Sequence, residues 1–229
     1  MLKYFFMQKN SCSDRLNDNV TKWFCLGVPL LISLLVKMVL LFILHDGAIN
    51  RDGTLYIKAA MEFAAGNLSN GLELYPMPVY PLLITFTHIF IPDWILSGYM
   101  ISIVSMVLTT IPLFYLVKYM FGMRPAFWAC LVFAFLPKMN EWSLYISRDA
   151  LYLLLFAWCV YFALRSIRED KTSLFLLTFI LAWISILVRI EGVSFIFFFS
   201  GVLVWLSFTD KRKRSRYFSR ALIWIALPL

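Results

Sequence analysis

The sequence predicts an all-α, polytopic membrane protein: a transmembrane helical bundle with an interfacial amphipathic helix in its first outer loop. Three observations predict it. Of 229 residues, 62% are hydrophobic and 15% charged, against about a quarter charged in an ordinary soluble domain. Mean hydropathy is +0.79, and a folded chain of this length cannot hide that much apolar surface from water. The apolar residues also come in runs of bilayer length, separated by short polar turns. Those turns alternate in charge, as the positive-inside rule requires of a polytopic chain. Backbone groups in hydrocarbon need internal partners, so each span is helical.

Residues 1–22 are mixed polar and read as a cytoplasmic N-terminal segment, with Lys3, Lys9, Arg15 and Lys22. Residues 23–229 form a single transmembrane domain. Its first run, Trp23 to Leu44, is long enough to cross a ~30 Å hydrocarbon layer. No small-residue cleavage site follows, which makes it an uncleaved signal anchor. Lys37 interrupts it and is expected to snorkel toward the outer interface. The stretch from His45 to Asp93 is acidic on balance. Within it, Leu55, Tyr56, Ala59, Ala60, Phe63 and Ala64 share one face of a helix over 53–65, with Lys58 and Glu62 on the other. Such a helix lies in the interface rather than across it, and Gly66-Asn67 stops it. Pro76 to Pro81 is expected to be irregular, because each proline removes a donor and restrains the residue before it.

Leu82 to Ile91 is too short to span. Further spans are expected at 95–119, 125–141, 149–165, 174–189 and 193–209. A last run begins at Ala221 and is cut after nine residues, so the domain reads as incomplete at its C-terminus. Lys118 and Arg124, then Arg165, Arg168 and Lys171, then the block at 211–220 fall on the side of the N-terminus. That places the N-terminus in the cytoplasm and the acidic loop outside.

The same pattern excludes several functions. The net charge of +8 is densest in Lys211 to Arg216, wedged between apolar runs. It reads as a membrane anchor, not as a nucleic-acid surface. Cys12, Cys25, Cys130 and Cys159 form no metal-ligand spacing, and His45 and His88 lie far apart. Cys130 and Cys159 sit within apolar runs as small hydrophobes.

Ionisable groups at membrane depth are candidates for function. Those expected on the outer side are Asp46, Asp52, Lys138, Glu141, Arg148, Asp149, Arg189 and Glu191. Each also has a plainer reading. Asp52 can cap the amphipathic helix. Ser147 and Asp149 can cap and complement the next span. Arg189 and Glu191 can form a local ion pair across a tight hairpin, and Asp46 can be a solvated loop charge.

The order of these features resembles the first outer loop and following spans of GT-C-type membrane glycosyltransferases. The nearest branch contains the dolichyl-phosphate-mannose protein mannosyltransferases and the aminoarabinose transferases. The resemblance rests on the signal-anchor span, Asp52-Gly53-Thr54-Leu55-Tyr56 followed by Ala60, Phe63 and Gly66, and the proline–tyrosine segment 76–81. Arg148-Asp149-Ala150-Leu151 and Leu187-Val188-Arg189-Ile190-Glu191-Gly192 add to it. Two departures stand out: Gly53 replaces the acidic partner of Asp52, and Met77-Pro78 replaces a double proline. The first leaves dependence on a divalent metal open.

The resemblance implies an enzyme, the N-terminal half of a hexosyl- or pentosyltransferase. Such an enzyme moves a sugar from a polyprenyl-phosphate donor to a glycan, lipid or protein acceptor outside the cytoplasm. It implies Asp52 as general base, with Tyr56, Arg148, Asp149, Arg189 and Glu191 shaping the donor site. A transporter or lipid flippase lined by the same charges is the alternative, which paired broken helices in inverted repeats would favour.

Overall fold

The computed structural model describes residues 15–44, 49–209 and 213–226. Residues 1–14 of the N-terminal segment, His45, Asp46, Lys211, Arg212 and the last three residues of the final run lie outside the described residues. Among the described residues there are eleven helices and no strand. The first is α1 (Arg15–Leu44), followed by a layer of three shorter helices, α2 (Arg51–Ala64), α3 (Leu68–Leu74) and α4 (Val79–His88). Then come α5 (Trp94–Phe121), α6 (Met123–Phe135), α7 (Pro137–Ser143), α8 (Arg148–Glu169), α9 (Thr172–Val188), α10 (Gly192–Thr209) and α11 (Arg214–Ala226). Four helices are long and apolar enough to cross a membrane: Thr21–Ile43 within α1, then α5, α8 and α10. Helices α6 and α9 are shorter apolar helices.

Three boundaries differ from the sequence expectation, two of them set by prolines. The span expected over 125–141 breaks at Leu136, which is extended (φ −65°, ψ 117°), and Pro137 starts α7. Proline cannot donate and pushes the residue before it out of the helical region. The segment 76–81 is helical from Val79 onward, with Pro78 as N-cap and Pro81 in the first turn. There the missing N–H has no intrahelical partner to lose. Helix α2 starts at Arg51, so Asp52 lies inside its first turn and is not the cap; Asn50 holds that position. Gly66 ends this segment with φ +82°, a conformation that glycine adopts without a Cβ penalty.

The short connections at Gly122, at Asp170-Lys171 and at 189–191 make α5/α6, α8/α9 and α9/α10 antiparallel pairs. Packing forms three clusters. At the end bearing α2–α4, Tyr56, Ile57 and Ala60 meet Tyr80, Ile84, Tyr99, Ile146 and Leu151. The apolar face of α2 is therefore covered by α4 and α5. A second cluster joins Leu26, Phe114, Ala126 and Cys130 across α1, α5 and α6. The third gathers Phe175, Phe195 and Phe199 around Trp224 of α11, with Cys159 and Ala163. Phe42, Trp128, Phe198, Trp205 and Phe208 face outward, as lipid-contacting side chains do.

Charges organise the opposite end. Asp170, left-handed at φ 52°, accepts from Arg216, from Arg220 at 3.1 Å, and pairs with Lys213 at 3.3 Å. The part of the basic block that is described is thus partly an intramolecular lock. Lys37 also differs from expectation. It does not snorkel; it is fully buried, with Nζ donating to Ser33 Oγ at 3.0 Å and to Asn140 Oδ1 at 3.1 Å.

Candidate active site

The first layer of the site is built by aromatic packing. Tyr56, on the inner face of α2 and 3% exposed, meets Tyr75 edge-on at 4.8 Å between centroids and Tyr80 at 5.2 Å. Burial, then Tyr75, pushes the Tyr56 phenol up from its usual range, with Arg148 opposing and Asp52 adding to the rise. The Tyr80 hydroxyl meets Ser102 Oγ at 3.0 Å, and burial raises its phenol as well. Both tyrosines therefore stay protonated at neutral pH and serve as donors, not bases.

Asp52 lies two residues after Asn50 and faces outward on α2, exposed. Among the described residues its carboxylate takes part in no ion pair or hydrogen bond, so both oxygens are free to accept. Asp149, at the start of α8, has its own N–H bound by Ser147 Oγ at 3.1 Å, the capping expected for that serine. Its carboxylate accepts from Arg189 Nη1.

Two arginines expected to share one task are placed very differently. Arg189 lies between two carboxylates: Asp149 on one side, and Glu191 Oε2 at 2.9 Å from Nε on the other. Glu191 lies off the Nε–H direction, so that contact is ionic and Nε keeps no hydrogen bond. The Arg189 contact holds the Glu191 carboxyl below its usual range. Arg148, by contrast, donates Nη1 to the Tyr75 hydroxyl, reaches Met77 Sδ at 3.7 Å and lies over the Tyr75 ring at 5.6 Å. All of these partners are neutral. Among the described residues Arg148 makes no direct ion pair; the Glu191 carboxylate feels its charge only at longer range.

Ile146 brings α2 and α8 together. It is fully buried and seated on two glycines. A Cβ built on Gly98 would lie 2.7 Å from Ile146 Cγ2, and one built on Gly53 would lie 2.6 Å from Asn50 Oδ1 and 3.0 Å from Ile146 Cβ. Asn50 Nδ2 donates to the Ile146 carbonyl at 3.2 Å. The glycine in place of a second acid after Asp52 thus has a packing reason: the space belongs to Ile146. Ser147 N donates to Ser102 Oγ at 3.3 Å, which ties the same loop to α5.

Of the residues read from sequence, Tyr56, Arg148, Asp149, Arg189 and Glu191 gather at one end of the bundle, with Asp52 within electrostatic reach of Tyr56. Lys138 and Glu141 pair with each other on α7 at 2.9 Å, both exposed, and such solvated pairs contribute little. Asp46 lies outside the described residues. Tyr75, Asn50 and Ile146 were not singled out in the sequence, and Tyr80 entered only as the tyrosine of the segment 76–81. Tyr75 abuts the proline segment and offered a signal; nothing in the spacing of Ile146 did. Among the described residues no group of three or more His, Cys, Asp or Glu side chains is gathered as a metal site would need.

Residues 75–229 match a protein-family model described as dolichyl-phosphate-mannose-protein mannosyltransferase. With the helical membrane bundle, that match defines an integral-membrane glycosyltransferase of the GT-C type. The chain belongs to the dolichyl-phosphate-mannose-protein mannosyltransferase family. The matched stretch includes Tyr75, Arg148, Asp149, Arg189 and Glu191, and Asp52 and Tyr56 precede it. No curated protein and no solved structure matches the chain.

Proposed function

We propose that this protein transfers a sugar from a polyprenyl-phosphate donor to an acceptor hydroxyl or amide on the extracytoplasmic side of the membrane, with Asp52 as general base. The observation that carries the reading is the contrast between the arginines. Arg148 is positioned by Tyr75 and Met77 with no carboxylate paired to it, and both it and the free acid Asp52 act electrostatically on Tyr56. In the reaction the acceptor gives its proton to Asp52 and attacks the anomeric carbon. The bond from that carbon to the phosphate oxygen breaks, with inversion, and polyprenyl phosphate leaves with one more negative charge. Arg148 holds that phosphate through paired donors. Arg189, neutralised by Asp149 and Glu191, fixes the start of α8 against the α9–α10 turn and so shapes the site around the donor.

The test is transfer from a labelled polyprenyl-phosphate sugar by membranes containing the protein. Transfer is expected from the wild type, and Arg148→Met should raise the donor KM about tenfold or more, as expected when a charge-assisted hydrogen bond is lost. Absence of transfer across a panel of hexosyl and pentosyl donors overturns the reading. An unchanged donor KM in Arg148→Met overturns the role given to that arginine.

A further inference from the structure

Lys37 is a fully buried cation that the proposed reaction does not use. It lies on the stretch of α1 nearest the α2–α4 layer and reaches sideways to α7, where Asn140 Oδ1 accepts from Nζ at 3.1 Å. Ser33 one turn earlier accepts at 3.0 Å, and the Phe133 ring of α6 lies 5.9 Å away. Every partner is neutral, so the contact cannot be explained as charge compensation. A buried ammonium without a carboxylate is costly, and simple packing would be served by methionine.

The position of α7 gives the contact its consequence. Helix α7 is seven residues long, starts at the Pro137 break and is followed directly by Leu144, Tyr145 and Ile146. Ser143 Oγ folds back onto the Asn140 carbonyl at 2.6 Å. Ile146 is the side chain on which Gly53 rests, and its carbonyl takes the Asn50 amide. Ser147 and the start of α8 are fixed independently, through Ser102 and Tyr80. Ile146 also packs on Gly98 of α5, but the link that leads to α2 is its carbonyl with Asn50. A displacement of α7 therefore reaches Asn50 and Asp52 through it, while Arg148 keeps its contacts to Tyr75 and Met77.

We infer that Lys37 is a positioning residue: by holding Asn140 it sets α7 and Ile146, and through them the place of Asp52 relative to Arg148. This rests on the role proposed above for Asp52, but its structural half can be tested without any activity. Spin labels at Lys58 on α2 and Glu141 on α7, both exposed, report the α2–α7 distance in the membrane-embedded protein by pulsed dipolar spectroscopy. Lys37→Met should shift or broaden that distribution. Asn140→Leu should do the same, and the double variant should be no worse than either single one, because both remove one interaction. Asn140→Asp keeps the acceptor oxygen and should restore the wild-type distribution.

In sugar transfer, Lys37→Met should lower kcat by about 10- to 100-fold, as misplacement of a reacting group does, with the donor KM within about threefold. An unchanged distance distribution in both single variants overturns the inference. So does a shifted distribution with normal kcat, or a loss expressed in donor KM alone. If the wild type transfers no sugar, the function proposed above fails by that result, and the distance measurements still decide whether Lys37 sets α7.

Discussion

Asp52 projects a free carboxylate from the first turn of α2, while the N-cap position belongs to Asn50. Because the helix does not depend on the Asp52 side chain for capping, replacing it tests chemistry rather than folding. Asp52→Asn should leave membrane yield and thermal stability unchanged and lower turnover by about 10²–10⁴, the usual contribution of a positioned general base. Turnover numbers from purified protein decide this, and a normal value removes Asp52 from the reaction. The two arginines make the complementary point. Arg189 between two acids and Arg148 among neutral partners carry the same formal charge, but only Arg148 is without a direct carboxylate partner.

Two elements, α2 and α11, are fixed by contacts that a helical pattern does not specify. For α2 the contact is Gly53 on Ile146. A methyl at position 53 would meet Asn50 Oδ1 at 2.6 Å and Ile146 Cβ at 3.0 Å. Gly53→Ala is a helix-favouring change that should nonetheless destabilise the protein by about 1–3 kcal/mol, as overpacking does. Thermal unfolding in detergent or nanodiscs measures it, and a stabilised variant would mean that the contact yields without strain.

For α11 the contact is Asp170, which receives Lys213 from the turn before the helix and Arg216 and Arg220 from the helix itself. Burial opposes the Asp170 charge, but Lys213, Arg216 and Arg220 together bring its carboxyl below the usual range. A carboxyl depressed in the folded state stabilises at pH above its unfolded value of about 4 and ceases to do so as pH falls through its folded value. Asp170→Asn keeps a residue that tolerates the left-handed backbone and removes only the charge. The variant should unfold at lower temperature than wild type at pH 7 and pH 5, and the gap should close below about pH 4. A gap that persists in acid would point to geometry instead of charge.

At the scale of the whole molecule, both ends of the bundle have distinct chemistry. Lys118, Arg168, Lys171 and the start of α11 lie at one end, and Asp52, Arg148, Arg189 and the α2–α4 layer at the other. The positive-inside rule predicts that the first end faces the cytoplasm. In intact cells and a background lacking native cysteines, a cysteine at Asn70 should react with an impermeant thiol reagent. One at Ser215 should react only after permeabilisation. Both positions are exposed on the protein, so the reverse result would place the candidate site in the cytoplasm and sink the extracytoplasmic reaction.

The sequence by itself determined the class of fold, the positions of most spans and several of the charged residues that meet at one end. Each of these depends on local quantities: length of apolar run, sign of a turn, cost of an ionisable group in lipid. The order of motifs around Asp52, Arg148 and Arg189 was legible too, and the family match over 75–229 bears out the glycosyltransferase class. Only the tertiary structure decided what each charge does. Lys37 looks like a snorkelling side chain along α1, and becomes a buried link once α7 lies beside it. Arg148 and Arg189 are equivalent in sequence, and differ because Asp149 and Glu191 close on one and Tyr75 on the other. Gly53 looks like a missing acid until Ile146, 93 positions on, fills its place. Such distinctions arise from pairs of residues far apart in the chain, and no periodicity or spacing records which of them will touch.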